Sequence, residues 1–290
     1  HIAYERADHT QAAEAGLAAI VAYERSEERS ENADVPSEGA RRTTSAMRFA
    51  ATYPDHPKAA AVFRQAGVEL LERDQDRTAI QLSETLLQTT PSSSTGLRQA
   101  AWSVLAQARY KTGDFENAEQ AYREALNLTQ PGDARRDALN RGMAATVYKL
   151  AEARRAKGDK RASAALFLRA AEAAPGTSVA ITAEYDAASA LLASQRWKDA
   201  IKVLEAFRTA YPAHPLHQEA TKKLAFAYIG DARYFDAAAI YRQLGTGAGE
   251  DALRRSALKR AAELYEQSGN LPQAIEALAR YATEFPQPVT

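Results

Sequence analysis

Two stretches of this 290-residue chain have residue types and spacings that suggest chemistry. His214 and His217 are three apart, an interval that can put two imidazoles on one helix face and so begin a metal site. No carboxylate is spaced to join them, no His-Glu-x-x-His run occurs, and the chain has no cysteine. The residues support a chance pair at a helix start. Gly245-Thr246-Gly247-Ala248-Gly249 has the glycine density of a phosphate-cradling loop. It follows a helical pattern instead of a strand, has Glu250 where a dinucleotide fingerprint needs glycine, and no Gly-Lys-Ser/Thr follows. A flexible link between two helical units fits it better. A third group is of another kind: Tyr148, Tyr185, Lys222 and Lys259 succeed one another at intervals of 37. Tyrosine and lysine at a fixed interval make a contact surface, not a reaction centre. The sequence predicts no enzyme, cofactor or metal.

The same interval governs the elements that must position these side chains. Ala200, Ala237 and Ala274 are 37 residues apart, and each follows a turn and a large apolar residue: Trp197, Tyr234 and Leu271. Leu204, Tyr241 and Leu278 come four residues after the alanines, and Pro212 and Pro286 twelve after two of them. A period between about 20 and 50 residues marks stacked structural repeats. Apolar residues recur at three and four, as in Val104–Ala108 and Ile201–Leu204, which is the helical pattern. Gly113-Asp114 and Gly158-Asp159 read as a permissive glycine ending one helix and an N-capping aspartate opening the next. Pro91, Pro131, Pro175, Pro212 and Pro286 stop helices or set up turns. No stretch reads as a strand, so the chain is predicted to be all-α.

The best single copy runs from Gln99 to Pro131: Trp102, Leu105, Ala106, the turn Gly113-Asp114-Phe115, then Ala118, Tyr122, Ala125 and Pro131. A further copy has Val147, Leu150, Ala151, Gly158-Asp159, Phe167, Ala170 and Pro175, with Ser163 in place of alanine. Upstream, Phe63, Gly67, Leu70, Ala79, Leu86 and Pro91 fit the same template. This pattern resembles the tetratricopeptide repeat family over nearly the whole chain. The resemblance implies one right-handed superhelical solenoid across 1–290, of about six to seven hairpins preceded by an orphan helix. Trp102 and Trp197 are then repeat-core residues. Alanine-equivalent positions fall near 42, 79, 118, 163, 200, 237 and 274, where Arg42 fits by spacing only.

Two irregularities interrupt the repeat. The 45-residue interval from 118 to 163 has its extra length near Gln130–Asp137, as a longer loop or an extended first helix. Ser26 to Gly39 is polar and acidic, contains Pro36, and reads as an insertion loop in the first hairpin. Residue 1 is His, and Ile2–Asp8 reads as the tail of a second helix. The expectation is a piece of a longer repeat protein.

Composition bounds the function. Lys plus Arg number 37 against 37 Asp plus Glu, which argues against a nucleic-acid scaffold and its basic stripe. No apolar run reaches the roughly 18 residues that would suggest a membrane span. The resemblance places the useful surface on first helices, at positions giving Arg64, Tyr110, Tyr148, Arg155, Tyr185, Lys222, Phe226 and Lys259. A protein or extended acidic peptide is the implied partner. The carboxylate-gripping subset of the family needs lysine and asparagine four residues apart. The asparagine position here has Val68, Gln107, Glu152, Ser189, Phe226 and Glu263, so that specialisation is not supported. Thr52–Ala60 and Ala210–His217 share Tyr-Pro-x-His-Pro, which resembles junctions in bacterial cell-envelope members of the family. The implied function is a non-enzymatic scaffold in a bacterial envelope or periplasmic complex, with the cytoplasm as the other location. The alternative is the helical arm of a larger murein-cleaving enzyme or transcription factor.

Overall fold

A computed structural model describes residues 11–29, 36–90, 94–247 and 250–286. Among these the chain forms helices and turns and no strand. The helices come in pairs. The first pairs are α1 (Ala12–Arg29) with α2 (Pro36–Thr52), α3 (Ala59–Glu72) with α4 (Asp76–Thr89), and α5 (Thr95–Lys111) with α6 (Phe115–Asn127). Then come α7 (Arg135–Ala156) with α8 (Lys160–Ala173), α9 (Ser178–Ala193) with α10 (Trp197–Ala210), α11 (His217–Gly230) with α12 (Tyr234–Thr246), and α13 (Asp251–Gln267) with α14 (Leu271–Glu284). That is seven pairs among the described residues. The chain divides into two compact units, His1–Lys149 and Leu150–Thr290, the boundary falling inside α7. The sequence reading expects one continuous body.

Six of the paired turns are built alike. Asp74, Gly113, Gly158, Gln195, Ala232 and Gly269 all take positive φ, each two residues before the following helix. In each, the next amide donates back to the carbonyl five residues earlier, for example Asp114 N to Arg109 O at 2.9 Å and Arg233 N to Tyr228 O at 2.8 Å. This closes the helix C-terminus and reverses the chain in three residues. Glycine pays no steric cost there, whereas Gln195 and Ala232 do. The expected aspartate caps divide. Asp159 accepts from Ala162 N at 3.0 Å, but Asp114 does not cap, because both its oxygens accept from Asn117 Nδ2 at 2.9 Å.

The small residue falls at one place in each second helix. Ala79, Ala118, Ser163, Ala200, Ala237 and Ala274 are each the fourth residue of their helix, and each is buried. A methyl or hydroxymethyl there lets the paired helices approach closely. In α2 the residues four and seven after Arg42, Ala46 and Phe49, are buried, so Arg42 holds the equivalent position. Its guanidinium pairs with buried Glu69 of α3 at 2.8 Å. Large side chains fill the spaces between pairs: Phe49, Phe63, Leu97 and Val104 in the first unit, and Leu204, Phe207, Leu224, Leu264 and Tyr265 in the second.

The irregular stretches resolve by element. Of the proposed insertion at 26–39, residues 26–29 end α1 and 36–39 begin α2, so both flanks are helical; residues 30–35 lie outside the described set, as do residues 1–10 with the expected orphan helix. The extra length near 130–137 becomes a first helix of 22 residues, against 14 to 18 for the others. In the glycine-rich stretch, Gly245 is helical and buried against Leu258, where an added Cβ would come within 2.6 Å of Cγ. Residues 248–249 lie outside the described set.

Candidate interaction surface

In the second unit, Tyr185, Lys222 and Lys259 project from the first helices α9, α11 and α13. Tyr185 is half-buried against the core, its ring centroid 6.2 Å from that of Phe207 and 5.2 Å from Lys223 Nζ. Burial raises its phenol pKa above the ordinary value, with smaller contributions from Glu219 and Asp186. Lys222 is exposed and bonds Glu219 at 2.7 Å. Lys259 is exposed, with Nζ 5.0 Å from the centre of the Tyr281 ring.

Lys222 and Lys259 line one cavity of about 870 Å³ between α11, α12 and α13. Arg208, Arg254 and Arg260 join them, with Glu263 as the carboxylate in the wall and Tyr241, Leu244 and Leu253 as apolar surface. Three of these five cations are already paired: Lys222 with Glu219, Arg254 with Asp251 and Glu284, Arg260 with Glu263. Among the described residues, Arg208 and Lys259 have no carboxylate within salt-bridge distance, and Arg208 Nε is buried without a hydrogen-bond partner. The available positive charge therefore resides in these two. Such a wall favours a ligand with acidic and apolar groups, in a volume ordinary for binding pockets.

Phe226 is 54% exposed, its ring 5.7 Å from that of Trp197 in an edge-to-face arrangement. The two line a shallower cavity with Ser189, Lys223 and again Lys222. Trp197 is half-buried, lying against Gly230, so it belongs to both core and surface. Trp102 is also only partly buried. Arg155 is engaged internally: it pairs with Asp186 at 3.2 Å and Glu152 at 3.8 Å and lies over the Phe167 ring.

Three of the predicted residues lie in the first unit. Tyr148 is half-buried on α7 before the boundary. Tyr110 is half-buried, its ring 5.6 Å from that of Phe115 across its own turn. Arg64 donates to Gln99 Oε1 at 3.2 Å. Sequence reasoning missed Arg208, Arg254 and Arg260. Arg208 belongs to a second helix, whereas the contact positions implied by the repeat lie on first helices.

The histidines serve turns. In both Tyr-Pro-x-His-Pro junctions the imidazole Nδ1 accepts a backbone amide at 3.2 Å, Lys58 N to His56 and Leu216 N to His214. Phe49 and Phe207 pack on both the tyrosine and the histidine of their junctions. His217 lines the cationic cavity with Nδ1 buried and unpartnered. Among the described residues no group of three His, Cys, Asp or Glu could hold a metal, and no helix is long and apolar enough to cross a membrane.

Residues 99–130, 182–214 and 256–288 each match the tetratricopeptide repeat. No curated protein sequence matches the chain. Among solved structures it is similar to a putative kinesin light chain with TPR-like repeats from Podosopora anserina, at 17% identity, 66% of this chain, 98% of that one and a TM-score of 0.39. It is also similar to MamA from Desulfovibrio magneticus RS-1, at 19% identity, 66% and 97% coverage and a TM-score of 0.32. A third is PilW, a type IV pilus biogenesis factor, at 18% identity, 79% and 94% coverage and a TM-score of 0.34.

Proposed function

The chain belongs to the tetratricopeptide repeat family, and from that premise we propose that it is a non-enzymatic scaffold whose second unit grips an acidic segment of a partner protein. The family's helical pairs supply protein-interaction surfaces. The observation that carries the finer reading is the single cavity in which five cations meet one carboxylate, two of the cations without an ion partner. Tyr241, Leu244 and Leu253 give such a segment apolar contact. Zero net charge over the chain makes this excess a local one and argues against nucleic acid as the partner. For location we propose the bacterial cell envelope, supported by the resemblance of the two Tyr-Pro-x-His-Pro junctions.

The test is charge reversal at the two unpaired cations, Arg208→Glu with Lys259→Glu. A partner captured by the wild-type chain is titrated against both proteins across a salt series. The double variant should lose at least about tenfold in affinity, and wild-type affinity should fall with salt. Equal affinity and equal salt dependence in the two proteins would remove the cavity from consideration. Fractionation that finds the protein only in the cytosol would remove the envelope assignment.

A further inference from the structure

The first unit contains a second cationic cluster. Arg64 of α3 and Arg135 of α7 donate to the same atom, Gln99 Oε1, at 3.2 and 3.3 Å. Gln99 is 2% exposed, and its orientation follows from its neighbours. Its amide nitrogen donates to Ser103 Oγ at 3.1 Å and Thr129 Oγ1 at 3.2 Å. Both hydroxyls spend their own hydrogens on backbone carbonyls, Gln99 O and Ala125 O, so toward the amide they can only accept. The amide oxygen must therefore face the two arginines.

A neutral oxygen thus sits where two guanidiniums converge. Asp133 is the nearby anion, and Arg135 engages it through Nε, Nη2 and its backbone N–H. Those bonds hold the Asp133 carboxyl well below the ordinary range. Arg64 has no carboxylate within salt-bridge distance among the described residues, and it uses one of its five N–H donors. Burial, and then Arg135, lower its pKa, so the fold opposes the charge it carries. Two guanidiniums against one carboxylate leave an excess of one positive charge, with free donors, at a half-buried position.

We propose that Arg64 and Arg135, held together by their shared bonds to Gln99 Oε1, form an oxoanion site that takes a carboxylate or phosphate group on the N–H donors those bonds leave free. The Arg64 fork, with four N–H donors still free, matches two oxygens of such a group, and charge-assisted bonds to it are stronger than bonds to a neutral acceptor. The site rests on the first unit alone and is independent of the cavity in the second.

The experiment measures thermal unfolding of the whole chain with added inorganic phosphate or acetate, at ionic strength held constant with sodium chloride. The wild type should gain Tm saturably with at least one of them, the stronger response telling tetrahedral from planar anion. Arg64→Gln should weaken that response about tenfold or more. Without added anion its Tm should equal or exceed wild type, because a disfavoured charge is gone. Gln99→Glu places a carboxylate between the arginines and should also abolish the response, so the test survives if one variant fails to fold. No response in the wild type, or an unchanged response in the variants, would overturn the site. A lower Tm for Arg64→Gln in sodium chloride alone would make the arginine structural. The Arg208→Glu, Lys259→Glu variant should keep the wild-type response, which separates this site from the other.

Discussion

Gly67 tests how tightly the stacked pairs fit. It lies within α3, and a Cβ added there would meet Val104 Cγ2 at 2.4 Å and Cγ1 at 2.8 Å, where ordinary contact begins at 3.4 Å. Val104 is 1% exposed and β-branched, so its χ1 has little freedom on a helix. With both methyls in the way, Gly67→Ala should reach the upper end of overpacking costs, about 3 kcal/mol. Alanine recovers about 1 kcal/mol of helix propensity over glycine. The net expectation is a loss of about 2 kcal/mol, or about 4–8 °C in Tm for a body of this size. Trp102 and Trp197 are the two tryptophans, one in each unit, so a Trp197→Phe background leaves Trp102 fluorescence as the reporter of the first unit. Urea melts followed this way should show the loss, and adding Val104→Ala should recover at least about 1 kcal/mol in a double-mutant cycle. A Gly67→Ala protein as stable as wild type, or a cycle with no coupling, would refute the close-packing argument.

Burial, aided by the hydrogen bond it donates to Glu205, pushes the Tyr228 phenol up to about 12. A raised acid pKa means the folded state holds the proton more tightly, so its stabilisation is complete below the ordinary tyrosine range near 10 and is lost between there and about 12. Alkaline melts should fall over that window, and Tyr228→Phe should flatten the fall. Ala232→Gly relieves an alanine at φ 57° and should stabilise the second unit by about 1 kcal/mol in urea denaturation; a destabilised variant would contradict the strain reading. Trp197→Ala should cost about 2 kcal/mol by calorimetry, less than full burial would give, because the ring is only partly buried.

Much of the fold was legible in the residues. The alanines at 79, 118, 200, 237 and 274 mark the fourth position of every regular second helix because only a small side chain fits where paired helices cross. Ser163 takes the same place in α8, whereas Arg42, the seventh residue of α2, corresponds to it only by its spacing from Ala46 and Phe49. Arg42 could be placed by spacing alone, since its acceptance depends on Glu69, which comes from a different helix. The candidate surface was half legible. Lys222 and Lys259 were found because equivalent positions recur every 37 residues, and they do line one cavity. Arg155 falls at a groove position of the repeat, and only the packed helices show it paired with Asp186 and Glu152 and lying over Phe167.

By itself, the sequence determined the helical period, the close crossings and the turns, because each depends on residues within one repeat. Turn closure needs only a left-handed residue two places before a helix, and helix pairing needs only a small residue and its neighbours at four and seven. Tertiary structure decided which charges are free. Arg254 is paired with Glu284 and Arg155 with Asp186, each from the next first or second helix, and Arg64 meets Arg135 across a buried amide. A salt bridge depends on distances of a few ångströms between side chains that can be tens of residues apart, and no linear spacing fixes those. Hence the architecture can be read along the chain, while the electrostatics that select a partner exist only once the helices have packed.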